Sequence, residues 1–259
     1  MNDKLFLILL AAVCTINAGA QQTPIETDRP DQTETAVTVP KYWIQAEMGF
    51  SRLTYKNDNS YKEKQFQHPS LLLKYGLGKR FELRMITNEG SIKEYASNSI
   101  FSKTGITSAQ LGFKGSICEE KGLRPKISLI GHYSFGRLRT LYKDSIDGAN
   151  FRFAIQHSLT EKLAISSNLG MDWEEFGMPP AYTYTFAPGY TFNEKWYAYI
   201  EVFGFVWKDF APENSIDGGI AFNISNNVKA DVSAGFGISK EAPRSYFSVG
   251  FSFRFKAKK

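Results

Sequence analysis

Along much of this chain small, polar or charged side chains alternate with aromatic and aliphatic ones. Glu82-Leu83-Arg84 is the densest instance, with Lys74 just before it across a Gly-Lys-Arg turn. Residues spaced by two share one face of a strand. The charged set on that parity is Glu47, Lys74, Glu82, Arg84, Lys114, Arg152, Asp172, Glu201, Asp217, Lys229, Asp231 and Arg254, with Tyr199 and Phe203 beside Glu201. Such a face has two chemical uses. Packed together, opposite charges form a salt-bridge network that braces an interior. Facing water, they line a passage for polar or charged solutes. Tyr197, Tyr199, Phe203 and Phe205 are suited either to an apolar slot for a hydrophobic or aromatic solute or to filling an interior.

Catalysis is poorly served. His68 precedes Pro69 at a loop–strand junction, His132 lies on the charged parity, and His157 lies on the apolar parity beside a short turn. That turn brings Ile165, and no serine, opposite His157, so the nucleophile and base of a lipolytic enzyme are not assembled. No G-x-S-x-G, H-E-x-x-H or Asp-rich calcium loop occurs. No catalytic residue, metal or cofactor is assigned. Cys14 and Cys118 are the two cysteines, and Cys14 falls in the leader, so neither an intrachain disulfide nor a cysteine metal site is expected. The net charge of +5 is spread along the chain, with a basic run only at Lys256, Lys258 and Lys259, which argues against nucleic acid as a partner.

The elements that position these residues follow from periodicity. Lys4, the apolar run Leu5–Val13 and Ala18-Gly19-Ala20 read as a secretory signal peptide, residues 1–20, cleaved before Gln21. Its apolar run is shorter than the roughly 20 residues that span a bilayer. Residues 21–41 form an acidic, proline-broken arm containing Asp28, Arg29 and Asp31. From 42 to 259, apolar and polar residues alternate in twelve segments: 42–53, 69–77, 81–88, 107–118, 126–135, 150–159, 163–173, 182–192, 196–207, 215–224, 228–238 and 245–255. Connections alternate between short turns (78–80, 160–162, 193–195, 225–227) and longer loops (54–68, 89–106, 136–149, 174–181).

Short turns at one end and long loops at the other are the pattern of an outer-membrane barrel, and an even strand count returns both termini to the periplasmic end. The expected fold is therefore all-β: a transmembrane, antiparallel, up-and-down barrel of about 12 strands, preceded by the signal peptide and a periplasmic arm. A secreted β-sandwich would also alternate. Its strands average ~5–6 residues, whereas these run to about ten, and the charged parity would make a costly protein core.

The turn at Gly78–Arg80 keeps parities matched and predicts Lys74 opposite Arg84, with Glu82 diagonal to Lys74. Barrel closure is expected to bring Arg254, Glu47 and Asp231 together. The arm has two expected fates: a free linker, or a segment folded into the barrel mouth that pairs Asp28, Arg29 and Asp31 with lumen charges such as Arg254 and Lys229.

The string Glu26-Thr27-Asp28-Arg29-Pro30-Asp31-Gln32-Thr33-Glu34, then Val39-Pro40-Lys41 and Gln45-Ala46-Glu47-Met48-Gly49-Phe50, resembles the opening of bacterial outer-membrane barrels of the phenol-degradation meta-pathway family. Arg80–Arg84, Leu111–Lys114 with Glu119–Gly122, Glu201–Phe205 and Ser215–Gly219 extend the resemblance along the whole mature chain. It implies a channel or transporter in the outer membrane of a Gram-negative bacterium. The expected protein is a monomer in outer-membrane lipid that passes a small-molecule solute. The alternative is a structural or adhesion barrel with a closed lumen, binding through the loops Tyr55–Gln67 and Ser91–Gly105.

Overall fold

In the computed structural model, which describes residues 23–257 apart from 31, 58–60, 97–98 and 143, the chain folds into twelve strands. They are β1 (Trp43–Asn57), β2 (Tyr61–Gly76), β3 (Phe81–Ala96), β4 (Ser99–Cys118), β5 (Lys126–Ser134), β6 (Gly148–Ser158), β7 (Leu163–Trp173), β8 (Ala181–Thr191), β9 (Trp196–Val206), β10 (Glu213–Ser225), β11 (Val228–Gly237) and β12 (Ser245–Lys256). Each pairs antiparallel with its neighbours in sequence. β12 then returns to β1, setting Trp43 opposite Lys256 and Phe50 opposite Val249. Closure removes both sheet edges, so the ladder satisfies its own backbone groups, as hydrocarbon requires.

Burial is inverted relative to a water-soluble domain. Leu83, Leu111, Leu169, Phe236 and Ile200 stand 45–61% exposed on the outside, while Lys74, Glu82, Lys114 and Glu201 are at most 1% exposed inside. Alternation explains this directly: lipid accepts one parity and the lumen the other. Aromatic contacts such as Tyr190–Phe192, Trp196–Phe222 and the run Phe251–Phe253–Phe255 mark the end of the barrel near the termini. Among the described residues, the buried apolar cluster inside is small: Ala36 from the arm against Ile130 and Ala154.

The first four strands correct the expected loops. The segments 54–68 and 89–106 are largely strand, and β1–β4 reach 15, 16, 16 and 20 residues. Their ladder continues past the apolar band, where no lipid-facing parity is needed and alternation ceases to signal a strand. Polar pairs sustain it: Tyr55 faces Glu63, and Thr54 faces Lys64. Lys64 lies 5.1 Å from the Tyr95 ring centre and Lys93 5.9 Å from that of Phe66. The described residues of Tyr55–Gln67 and Ser91–Gly105 are thus strands that extend the barrel rather than loops. Longer connections on that side remain at 135–147, 174–180, 207–212 and 238–244, and turns at the other end at 77–80, 119–125, 159–162, 192–195 and 226–227. The expected signal peptide, residues 1–20, lies outside the described residues.

Candidate functional site

The arm does not hang below the barrel. It enters beside β12, where the Arg254 guanidinium donates to the Thr23 carbonyl. Gln45 Nε2 then donates to the Glu26 carbonyl at 2.7 Å, and the amides of Asp28 and Arg29 donate to Glu47 Oε2 at 2.9 and 3.1 Å. Arg29 reaches Asp231 Oδ1 at 3.1 Å and Ser248 Oγ at 2.7 Å. Two glycines make room for it. Gly49 and Gly250 face each other across β1 and β12, and a Cβ on either would sit 2.2 or 2.3 Å from the guanidinium.

After Pro30 the arm crosses to β9 and β8. The Gln32 amide donates to Glu201 Oε2 at 2.8 Å. Thr33 Oγ1 lies 2.5 Å from Glu201 Oε1 and 2.6 Å from Thr185 Oγ1. A hydroxyl has one proton, so Thr33 donates to the carboxylate and accepts from Thr185. Glu34 and Asn168 exchange a reciprocal pair, amide to Oδ1 at 2.7 Å and Nδ2 to carbonyl at 3.0 Å. The arm then descends past β5, where Ser128 Oγ donates to the Ala36 carbonyl at 2.6 Å, and past β3, where the Val39 amide donates to Glu82 Oε2 at 2.6 Å. It passes into β1 through Tyr42, whose φ is +65°.

Asp28 is the centre of this arrangement. Its Oδ2 accepts from Lys74 Nζ at 2.8 Å and Arg84 Nη1 at 2.9 Å; its Oδ1 accepts from Lys114 Nζ at 2.9 Å and the Thr35 amide at 2.9 Å. Four donors saturate a carboxylate. Burial alone would push the Asp28 carboxyl up, but Lys114, Lys74 and Arg84 together hold it well below the usual carboxylate range. Glu34 follows the same logic, with burial opposed chiefly by Arg84, 2.5 Å away, and the net direction is down. Glu47 faces Lys74 at 2.5 Å, and Glu82 lies 3.1 Å from Arg84 and 3.9 Å from Lys114.

Lys74 does stand opposite Arg84, with Glu82 two pairs further along, opposite Gly76. The expected meeting of Arg254, Glu47 and Asp231 does not form. Arg254 faces Gln45, Glu47 faces Ser252, and the three take their partners from elsewhere: Thr23, Lys74 and Arg29 respectively. The register is right, but Lys74 and Arg29 supply nearer counter-charges to Glu47 and Asp231, and Arg254 is held by neutral oxygens of Thr23, Asn226 and Asn227. Arm docking likewise uses other partners than expected. Asp28 binds the β2–β4 cations rather than Arg254, and Lys229 Nζ lies 3.4 Å from Thr27 Oγ1. Asp31 lies outside the described residues.

Elsewhere on that parity, Arg152 Nη1 donates to the Gln32 carbonyl at 3.3 Å, Tyr199 stacks with Tyr197, and Asp217 lies directly opposite Glu201. Ser128, Asn168, Thr185 and Ser248 were not singled out from sequence. All are polar residues of the inward parity, but only the arm's path gives them roles. His132 shows the ordering achieved: Arg84 Nε can only donate, at 3.0 Å, so His132 Nε2 accepts and Nδ1 carries the proton towards Asn150 Oδ1 at 3.0 Å.

Two cavities lie on the side of the arm away from the termini. The smaller, about 280 Å³, is floored by Arg29, Pro30 and Gln32 and walled by Leu53, Phe203, Phe205 and Tyr246. The larger, about 1160 Å³, shares Tyr55, Phe205 and Glu213 with it and is rimmed by Asp172, Glu174, Glu175, Asp209 and Glu241, with Trp173 and Trp207.

A closed barrel with a polar, segment-filled interior and an apolar exterior defines the outer-membrane class. Residues 27–255 match the family described as "Putative MetA-pathway of phenol degradation", and the chain belongs to that family. No protein of curated function matches it in sequence. Among solved structures it is similar to the COG4313 outer membrane channel from Pseudomonas putida F1, at TM-score 0.69 and 10% identity, covering 93% of this chain and 100% of that one. It is also similar to the NanC porin (TM-score 0.53, 7% identity, 81% and 98% covered) and to the translocator domain of autotransporter NalP from Neisseria meningitidis (TM-score 0.52, 10% identity, 98% and 95% covered). These likenesses share the barrel fold.

Proposed function

We propose that this protein is an outer-membrane channel for small molecules, acting as a monomer in lipid, and that the arm is its internal plug. The observation that carries the reading is the arm itself. It runs across the lumen below two connected cavities and is held mainly by polar contacts to the wall. An apolar plug would be welded in by burial; hydrogen-bonded ions can be exchanged for water or solute. The family's description links it to phenol degradation, and Phe203, Phe205 and Tyr246 beside the smaller cavity suit a small hydrophobic or aromatic solute. The reading assigns transport rather than catalysis: His132, the histidine of the inward parity, is committed to Arg84 and Asn150.

Planar-bilayer recordings test the proposal. The full chain is expected to show small or intermittent conductance, and a variant lacking residues 23–38 a larger and steadier one. Silence from both would establish a closed structural barrel. Uptake of an aromatic solute into liposomes that is unchanged by Tyr199→Ala and Phe203→Ala would remove those side chains from the path.

A further inference from the structure

The cradle around Asp28 has the construction of a ligand site. Its three cations come from adjacent strands: Lys74 on β2, Arg84 opposite it on β3, and Lys114 on β4, itself opposite Glu82. The side chains of all three are at most 1% exposed. The ladder fixes them, so the wall offers the same convergent donors whatever occupies the space between. The carboxylate they hold belongs to a segment outside the ladder.

Charge counting points the same way. Around Asp28 the wall contributes three cations, Lys74, Arg84 and Lys114, against two anions, Glu47 and Glu82, and Asp28 of the arm supplies the third anion. A wall built only to brace itself has no need of a surplus that a docked arm must cancel. Resting on the channel reading above, we propose that Lys74, Arg84 and Lys114 form a binding site for the carboxylate of a small organic acid, and that Asp28 is the internal stand-in that such a solute displaces.

The exchange replaces one carboxylate by another and leaves the cations paired throughout, which avoids the penalty of stranding buried charge. The residues that follow Asp28, namely Arg29, Pro30 and Gln32, floor the smaller cavity. A solute resting there, its apolar body against Phe203 and Phe205, meets the arm next to the residue it must replace. Glycine pairing at Gly49 and Gly250 leaves Arg29 space as its backbone moves. Neutral aromatic molecules fit the cavity equally well but offer nothing to the cradle, so the site discriminates by charge.

The test is binding of sodium benzoate and sodium acetate to the detergent-solubilised full chain, with benzyl alcohol as the neutral probe. Asp28→Asn removes the stand-in's charge and is expected to raise benzoate and acetate affinity about tenfold over the wild type. Adding Lys114→Met to that variant is expected to abolish the gain, and benzyl alcohol should not respond to either change. Equal responses to benzoate and benzyl alcohol, or no gain with Asp28→Asn, would overturn the site. Should Asp28→Asn fail to fold, amide exchange in the wild type decides: saturating benzoate, unlike benzyl alcohol or chloride, is expected to accelerate exchange across residues 27–38, and identical exchange in all three refutes the displacement. Binding is read without transport. Benzoate binding by a protein that is silent in bilayers sinks the channel and keeps the site, while conductance without binding does the reverse.

Discussion

The two walls that grip the arm do so by opposite means. On β2–β4 the contacts are mainly between ions: Asp28 sits among Lys74, Arg84 and Lys114, which in turn face Glu47 and Glu82. On β9–β10 the wall is acidic, with Glu201 directly opposite Asp217, and the arm answers with neutral donors, the Gln32 amide and the Thr33 hydroxyl. The arm thus switches chemistry within four positions, from Asp28 to Gln32, as the charge of the facing wall demands. The ionic side is the expensive one to break, because removing one partner strands buried charge. The neutral side loses only hydrogen bonds. If that contrast is right, stability and gating should respond to the two sides unequally.

The largest effect belongs to Asp28. Asp28→Ala leaves three buried cations short of an anion, a loss of about 3–5 kcal/mol for a broken buried network. The expected readouts are a lower urea midpoint in lipid vesicles and a larger mean conductance, because the arm loses its anchor. A midpoint equal to wild type would show that water or Glu82 compensates the cations, and the ionic wall would then be no stronger than the acidic one.

That anchor was only half legible in the sequence. The bounds of β5–β12 follow from alternation to within two residues, because lipid punishes any break in the apolar parity. Above the bilayer it punishes nothing, and the tall hairpins of β1–β4 therefore read as loops. The Lys74–Arg84 pairing was legible too, since a turn of known length carries register across it. What two facing cations require is a third party, and its identity was not legible. The arm has no period to count, so nothing local says that Asp28 rather than Glu82 fills the gap. Gly49 and Gly250 illustrate the same limit: the sequence shows two small residues on the inward parity, but only closure of β12 on β1 makes them a slot for Arg29.

The next effect in size tests the acidic wall. Thr33→Val keeps the shape and removes a donor from Glu201 and an acceptor from Thr185. The expected loss is about 1–3 kcal/mol, with a smaller rise in conductance than for Asp28→Ala. A larger loss than Asp28→Ala would invert the ranking of the two sides. Smaller still is the change at the turn between β4 and β5, where Lys126 lies 2.9 Å from Glu119 at the wet end of the barrel. Lys126→Ala there should cost ~0–1 kcal/mol and leave conductance unchanged, which calibrates what an ion pair is worth outside the lumen.

The smallest response is expected from pH, and its sign follows from the two arm carboxyls. Asp28 is held well below its ordinary value of 3.8, and Glu34 below its ordinary 4.5, by the cations around them. A carboxyl depressed in the docked state contributes stability above its undocked pKa and gives it up only as pH falls through the docked one. The contribution of these two carboxyls to arm docking should therefore be flat from about pH 8 down to about pH 5. It should weaken only in more acidic solution, as Glu34 and then Asp28 take up protons and stop cancelling Arg84, Lys74 and Lys114. Conductance recorded across that range checks it. A channel that opens progressively between neutrality and pH 5 would mean that the arm is gripped by groups titrating there, and the ionic wall of β2–β4 would not be the one that holds it.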